Sequence, residues 1–109
     1  MYQYRLVHFI VDPFTDRRIA IAAVIDRTGS PCLVERLSPL PSAGVFGGMA
    51  GLAVVQLVLN ELPGQVTLAS LPDSCGPQVM FGPTRTTPRD TVDPAEWVIR
   101  LLREGAREN

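Results

Sequence analysis

The sequence predicts an α+β fold: an antiparallel sheet, made of a β-meander of three strands plus one or two later strands, with two helices packed on one face. Three observations carry this reading. Residues 2–37 hold three β-rich runs separated by turn residues. An apolar run over 49–62 stops at Pro63-Gly64, the punctuation of a helix end. A capped, amphipathic pattern then closes the chain after Asp93.

The first strand spans Tyr2 to Val11, which is aromatic and β-branched and stops at Asp12-Pro13. Alternation places Tyr4, Leu6, His8 and Ile10 on one face and Arg5, Val7, Phe9 and Val11 on the other. Both faces are partly apolar, as in an interior strand. After the turn Asp12-Pro13-Phe14-Thr15-Asp16, Arg18 to Asp26 forms the second strand, whose small alanines suit close packing against a helix. Asp26 to Ser30 closes a second hairpin and Cys32 to Leu37 forms the third strand. Pro39 and Pro41 exclude helix or central strand from the loop that follows.

From Met49 to Leu62 the length and the Pro-Gly stop favour a helix over a strand. Its polar residues Gln56 and Asn60 share one face, which predicts burial over most of the circumference. Gln65 to Leu71 reads as a short strand, Gln78 to Phe81 as a firmer one, resuming over Thr84 to Thr87. In the last helix, expected over Pro94 to Ala106, Asp93 caps, Pro94 occupies the first position and Glu96 completes a capping box. Trp97, Leu101 and Gly105 share a side with Val98 and Leu102 beside them, while Arg100, Arg103, Glu104 and Arg107 face water.

A chain of 109 residues is the size of one domain and buries a single core without metal or disulfide support. With 46% hydrophobic residues, 19% charged residues and a net charge of −1, it has neither a disordered composition nor the basic bias of a polyanion binder. All ten cations are arginine, which excludes lysine Schiff-base chemistry and a lysine-dependent phosphate loop. Cys32 and Cys75 are far apart in sequence, and spatial proximity alone decides whether they pair. The N-terminal residues lack the pattern of a signal peptide, so a cytoplasmic location is expected.

The 24 residues from Leu37 to Asn60 carry no charge and include Gly44, Gly47, Gly48 and Gly51. Two prolines and an apolar helix of about 11–14 residues, short of the ~20 a bilayer needs, argue against a membrane span. The remaining expectation is a core helix that also meets another chain, with Met49, Leu52, Val55 and Leu59 as interface residues. The competing expectation is an anion site in which Gly47 and Gly48 offer backbone N–H groups beside Arg17 and Arg18. No GxGxxG or GK[ST] motif supports it.

Other chemistry is sparse. His8 is the only histidine; a Cys–His pair with Cys75 has no support from spacing. His8, Cys32 and Cys75 lack a fourth zinc ligand and the usual paired spacings, so no metal and no cofactor are expected. Nucleic-acid binding needs arginines converging with stacking aromatics, of which only Tyr2, Tyr4 and Phe14 are candidates, and it is not expected.

Tyr4 to Ile25, with its turn Asp12-Pro13-Phe14 and its strand Ile19-Ala20-Ile21-Ala22-Ala23-Val24, resembles the opening of a small bacterial family, domain of unknown function 3037. Phe81-Gly82-Pro83 through Asp93-Pro94-Ala95-Glu96-Trp97 is similar to that family's late strand and closing helix. The family's strand asparagine and glycine are replaced here by Ala20 and by Ala22 or Ala23. Family members often sit beside genes for kinase-like proteins, so the resemblance implies a partner protein rather than an activity.

Together these readings favour a non-enzymatic interaction or accessory module, a homodimer or a subunit of a larger complex. The alternative is a small enzyme or ligand-binding domain that takes an anionic small molecule at the Gly44–Gly51 loop and the nearby arginines.

Overall fold

A computed structural model describes residues 2–12, 14–27, 30–38, 40–61, 68, 71, 74 and 78–108. The order of elements is β1 (Gln3–Asp12), β2 (Arg17–Arg27), β3 (Ser30–Arg36), a single 3-10 turn (Ala43–Phe46), α1 (Met49–Glu61), β4 (Val79–Phe81), β5 (Arg85–Thr86) and α2 (Pro94–Glu108). The α+β class and the meander therefore stand as expected. The strand read over Gln65–Leu71 lies outside the described residues except for Leu68 and Leu71.

All pairings are antiparallel, and β1 is the interior strand that its two apolar faces foretold. On one side β1 pairs with β2, which in turn pairs with β3. On the other side β4 pairs with Val7–Phe9 and β5 with Gln3–Tyr4. Gly82 donates its N–H to the Leu6 carbonyl at 2.8 Å, so β4 and β5 behave as one strand interrupted around Pro83.

The register of β1 against β2 shifts twice: Ile10 faces Arg18 but Asp12 faces Arg17 near the turn, and deeper in the strands Val7 faces Ala22 but His8 faces Ala20. Ile21 is thus an extra residue, a β-bulge that bends β2 and strengthens its twist. The bulge keeps Ala20 beside His8 on the face that also carries Leu6 and Ala23.

Alternation along β1 separates two packed layers. Val7 and Phe9 join Val79 and Phe81 on one face, where Phe46 meets Phe9 edge-on at 5.7 Å and Val55 and Leu59 of α1 complete the core. Tyr4 and Leu6 join Ala23 and Ile25 on the opposite face, where Val98, Trp97 and Leu101 of α2 cover them. The rings of Tyr4 and Trp97 meet edge-on at 5.3 Å. The two helices therefore sandwich the sheet. The expectation that both pack on one face is corrected: β1 has an apolar stripe on each side, and each stripe needs its own cover.

Local chemistry explains where α1 and α2 begin. Asp93 accepts a hydrogen bond from the Glu96 backbone N–H at 3.2 Å, the N-cap contact read from the sequence. The Glu96 carboxylate lies 3.5 Å from Arg100, one turn on. Ahead of α1, Gly47 and Gly48 have φ angles of +82° and +123°, left-handed backbone that favours glycine. Gly51 then abuts the Phe46 carbonyl so closely that a Cβ would overlap it.

Candidate functional site

Two surfaces merit description, one on each side of the sheet. The first is the outer face of α1. Only Gly51, Val55 and Leu59 of this helix are buried, a stripe at a spacing of four residues. Met49 is 73% exposed and Leu57 58% exposed, and Ala50, Ala53, Gln56 and Asn60 are exposed with them. This corrects the reading of a helix buried on most of its circumference: an almost uniformly apolar helix in a chain this short turns half its surface outward.

Of the four interface residues expected, Met49 faces outward and Leu52 is half-buried against the core. Val55 and Leu59 are core residues, closed off by the sheet. Leu57 and Ala53, which belong to the open face, were missed. A uniformly apolar sequence carries no periodicity to say which stripe points in.

The expected anion cradle is not assembled. The N–H of Gly47 is spent on the Gly44 carbonyl at 3.2 Å and that of Gly48 on the Ala43 carbonyl at 2.8 Å. Arg17 is exposed at the start of β2. Arg18 belongs to the opposite layer from the glycines, with its Nη2 2.6 Å from Asp16 and its Nη1 3.0 Å from the Met80 sulfur.

The second surface is a cleft of about 310 Å³ between α2 and the β1–β2 hairpin. Leu6, His8, Arg18 and Ala20 form the sheet side, and Leu101, Glu104 and Gly105 the helix side. Its existence follows from small residues: Ala20 opposite His8, and Gly105 on the last turns of α2, leave space where larger side chains would meet. His8 is half-buried and its Nδ1 atom is buried with no hydrogen-bond partner. Burial lowers the imidazole pKa below its ordinary value, and the Arg18 and Arg85 cations push it further down. His8 is therefore neutral at pH 7. Glu104 is exposed on the rim, and the side chains of Arg18 and Glu104 line the same cleft without forming an ion pair.

A wider groove of about 550 Å³ runs past Asp90, Asp93, Glu96, Trp97 and Arg100. Of its charged groups, Asp93, Glu96 and Arg100 serve α2 itself, through the Asp93 cap and the Glu96–Arg100 pair. Among the described residues no three His, Cys, Asp or Glu side chains come together to hold a metal ion. Cys32 is buried, and Cys75 lies outside the described residues. No helix among the described residues is long and apolar enough to cross a membrane.

Sequence reasoning also missed Arg5, which it placed on the same face of β1 as Val7, Phe9 and Val11 without assigning it a task. Arg5 is 8% exposed, and its guanidinium bonds the carbonyls of Gly82, Leu71 and Leu68. The alternation that buries Val7 and Phe9 also buries Arg5, so the signal was present in the pattern. Comparison of the chain with family models, with curated proteins and with solved structures finds no match.

Proposed function

We propose that this chain is a non-enzymatic interaction module whose docking element is the outer face of α1, and that the occupant of this face is a second copy of the same chain. One observation carries the reading: Met49 and Leu57 are exposed on a helix from a segment with no charge between Leu37 and Asn60. A largely apolar face left open to water, with Glu61 as its one charge at the C-terminal end, favours association.

A copy is favoured over a foreign partner by the self-complementarity of the face. Glu61, the one charge on α1, sits at its C-terminal end, so two copies packed antiparallel about a two-fold axis keep their carboxylates at opposite ends of the contact. Its uncharged polar members are amides, Gln56 and Asn60, which both donate and accept hydrogen bonds and so pair with themselves. Ala50 and Ala53 are small enough to receive Leu57 of the other copy. The resemblance of the Tyr4–Ile25 segment to family 3037 offers a kinase-like protein as the alternative occupant.

Sedimentation equilibrium over a micromolar concentration series tests the reading. A dimer for the native chain and a monomer for Leu57→Glu, with unchanged circular dichroism, are the expected results. A native chain that stays monomeric throughout the series overturns it.

A further inference from the structure

We infer that the cleft between α2 and the β1–β2 hairpin binds a small zwitterion, an apolar α-amino acid, with its carboxylate at Arg18 and its ammonium at Glu104. The volume of about 310 Å³ is at the lower end of small-molecule sites. Its walls have the mixture such sites use, apolar surface from Leu6, Ala20 and Leu101 with a few polar groups at the rim.

The charges select the ligand. Arg18 supplies a cation from the sheet side and Glu104 an anion from the helix side. An anion alone would meet the Glu104 carboxylate and the negative end of the α2 dipole, whose last turns form that wall. A cation alone would meet Arg18. A molecule with both charges satisfies both walls, and an apolar side chain then occupies the space over Ala20 and Leu101.

Arg18 has donors to give. A guanidinium carries five N–H groups, and Asp16 accepts from Nη2. The acceptor at Nη1 is the Met80 thioether, a weak acceptor that a ligand carboxylate readily displaces. His8, held neutral by its surroundings, adds a polar ring to the cleft floor without adding charge.

Gly105 makes the test clean. Nothing lies within 4 Å of the position its Cβ would take, so a larger residue there fills the cleft without disturbing the fold. The experiment is an amide-resolved NMR titration of the whole chain with leucine, methionine and phenylalanine, and with isocaproate and isoamylamine, which each lack one charge of leucine. At least one amino acid should shift Leu6, Ala20 and Leu101 saturably, with isocaproate and isoamylamine each weaker by about tenfold or more. Gly105→Leu should keep its melting temperature and lose the shifts, and Arg18→Gln and Glu104→Gln should each weaken binding by about tenfold. The inference is overturned if no amino acid gives saturable shifts, if the singly charged analogues bind as tightly, or if Gly105→Leu leaves binding intact.

Discussion

The Nε atom of Arg5 lies 2.7 Å from the carbonyl oxygen of Gly82, at the point where β4 gives way to β5. The interruption of that strand turns a backbone carbonyl toward the guanidinium. The same side chain sends Nη1 to the carbonyls of Leu71 at 2.9 Å and Leu68 at 3.1 Å. One buried arginine thus ties the central strand, the interrupted edge strand and the segment after α1 into a single layer.

Removing Arg5 should therefore cost far more than an ordinary surface substitution. Hydrogen bonds to a charged group contribute about 1.5–3 kcal/mol each, and buried carbonyls left without donors add a penalty. Arg5→Met should lower the unfolding free energy by about 3–5 kcal/mol. Arg5→Lys should recover only part of this, because a point-like ammonium cannot span carbonyls that a planar fork reaches together. Urea denaturation measures both variants. A loss below about 1 kcal/mol for Arg5→Met would show that the carbonyls find other donors.

Gly51 and Gly44 share a segment and differ in what surrounds them. A Cβ on Gly51 would overlap the Phe46 carbonyl oxygen, whereas nothing lies within 4 Å of one on Gly44. Gly51→Ala gains about 1 kcal/mol of helix propensity. It must also push α1 away from the turn that carries Phe46, and through it the Phe9 contact. The expected net result is a destabilisation of about 2–4 kcal/mol, with Gly44→Ala within about 0.5 kcal/mol of native. Thermal denaturation of the two variants side by side decides the matter; equal melting temperatures would refute the close approach.

These contrasts show what is legible in the sequence and what is not. The three-strand meander and α2 are written locally, in Asp-Pro and Thr-Gly turns and in the Asp93-Pro94 start. Local rules suffice there because the competing conformations lack those contacts. The bulge at Ile21 is not legible, since a run of isoleucine and alanine reads the same with or without an extra residue. The opposite-face placement of α1 and α2 depends on long connections that permit either side, and the two apolar stripes of β1 hinted at it. The His8–Glu104 cleft joins residues nearly the length of the chain apart, so only the packed register brings them together.

His8 provides the pH dependence. Its Nδ1 is buried without a partner, and burial followed by the Arg18 and Arg85 cations lowers its pKa in the folded state. The unfolded chain regains the ordinary value of about 6.5. Above that value both states carry a neutral imidazole, and His8 has no effect on stability with pH. As pH falls below it, the unfolded chain takes up a proton that the native chain refuses, so stability declines until the depressed native value is passed. The midpoint of urea unfolding should thus fall between pH 7 and pH 5.5 for the native chain and stay flatter for His8→Gln, which keeps a polar side chain but does not titrate. A slope in the variant equal to that of the native chain would assign the effect to the carboxylates instead, and an imidazole NMR titration with a midpoint at or above the unfolded value would remove its physical basis.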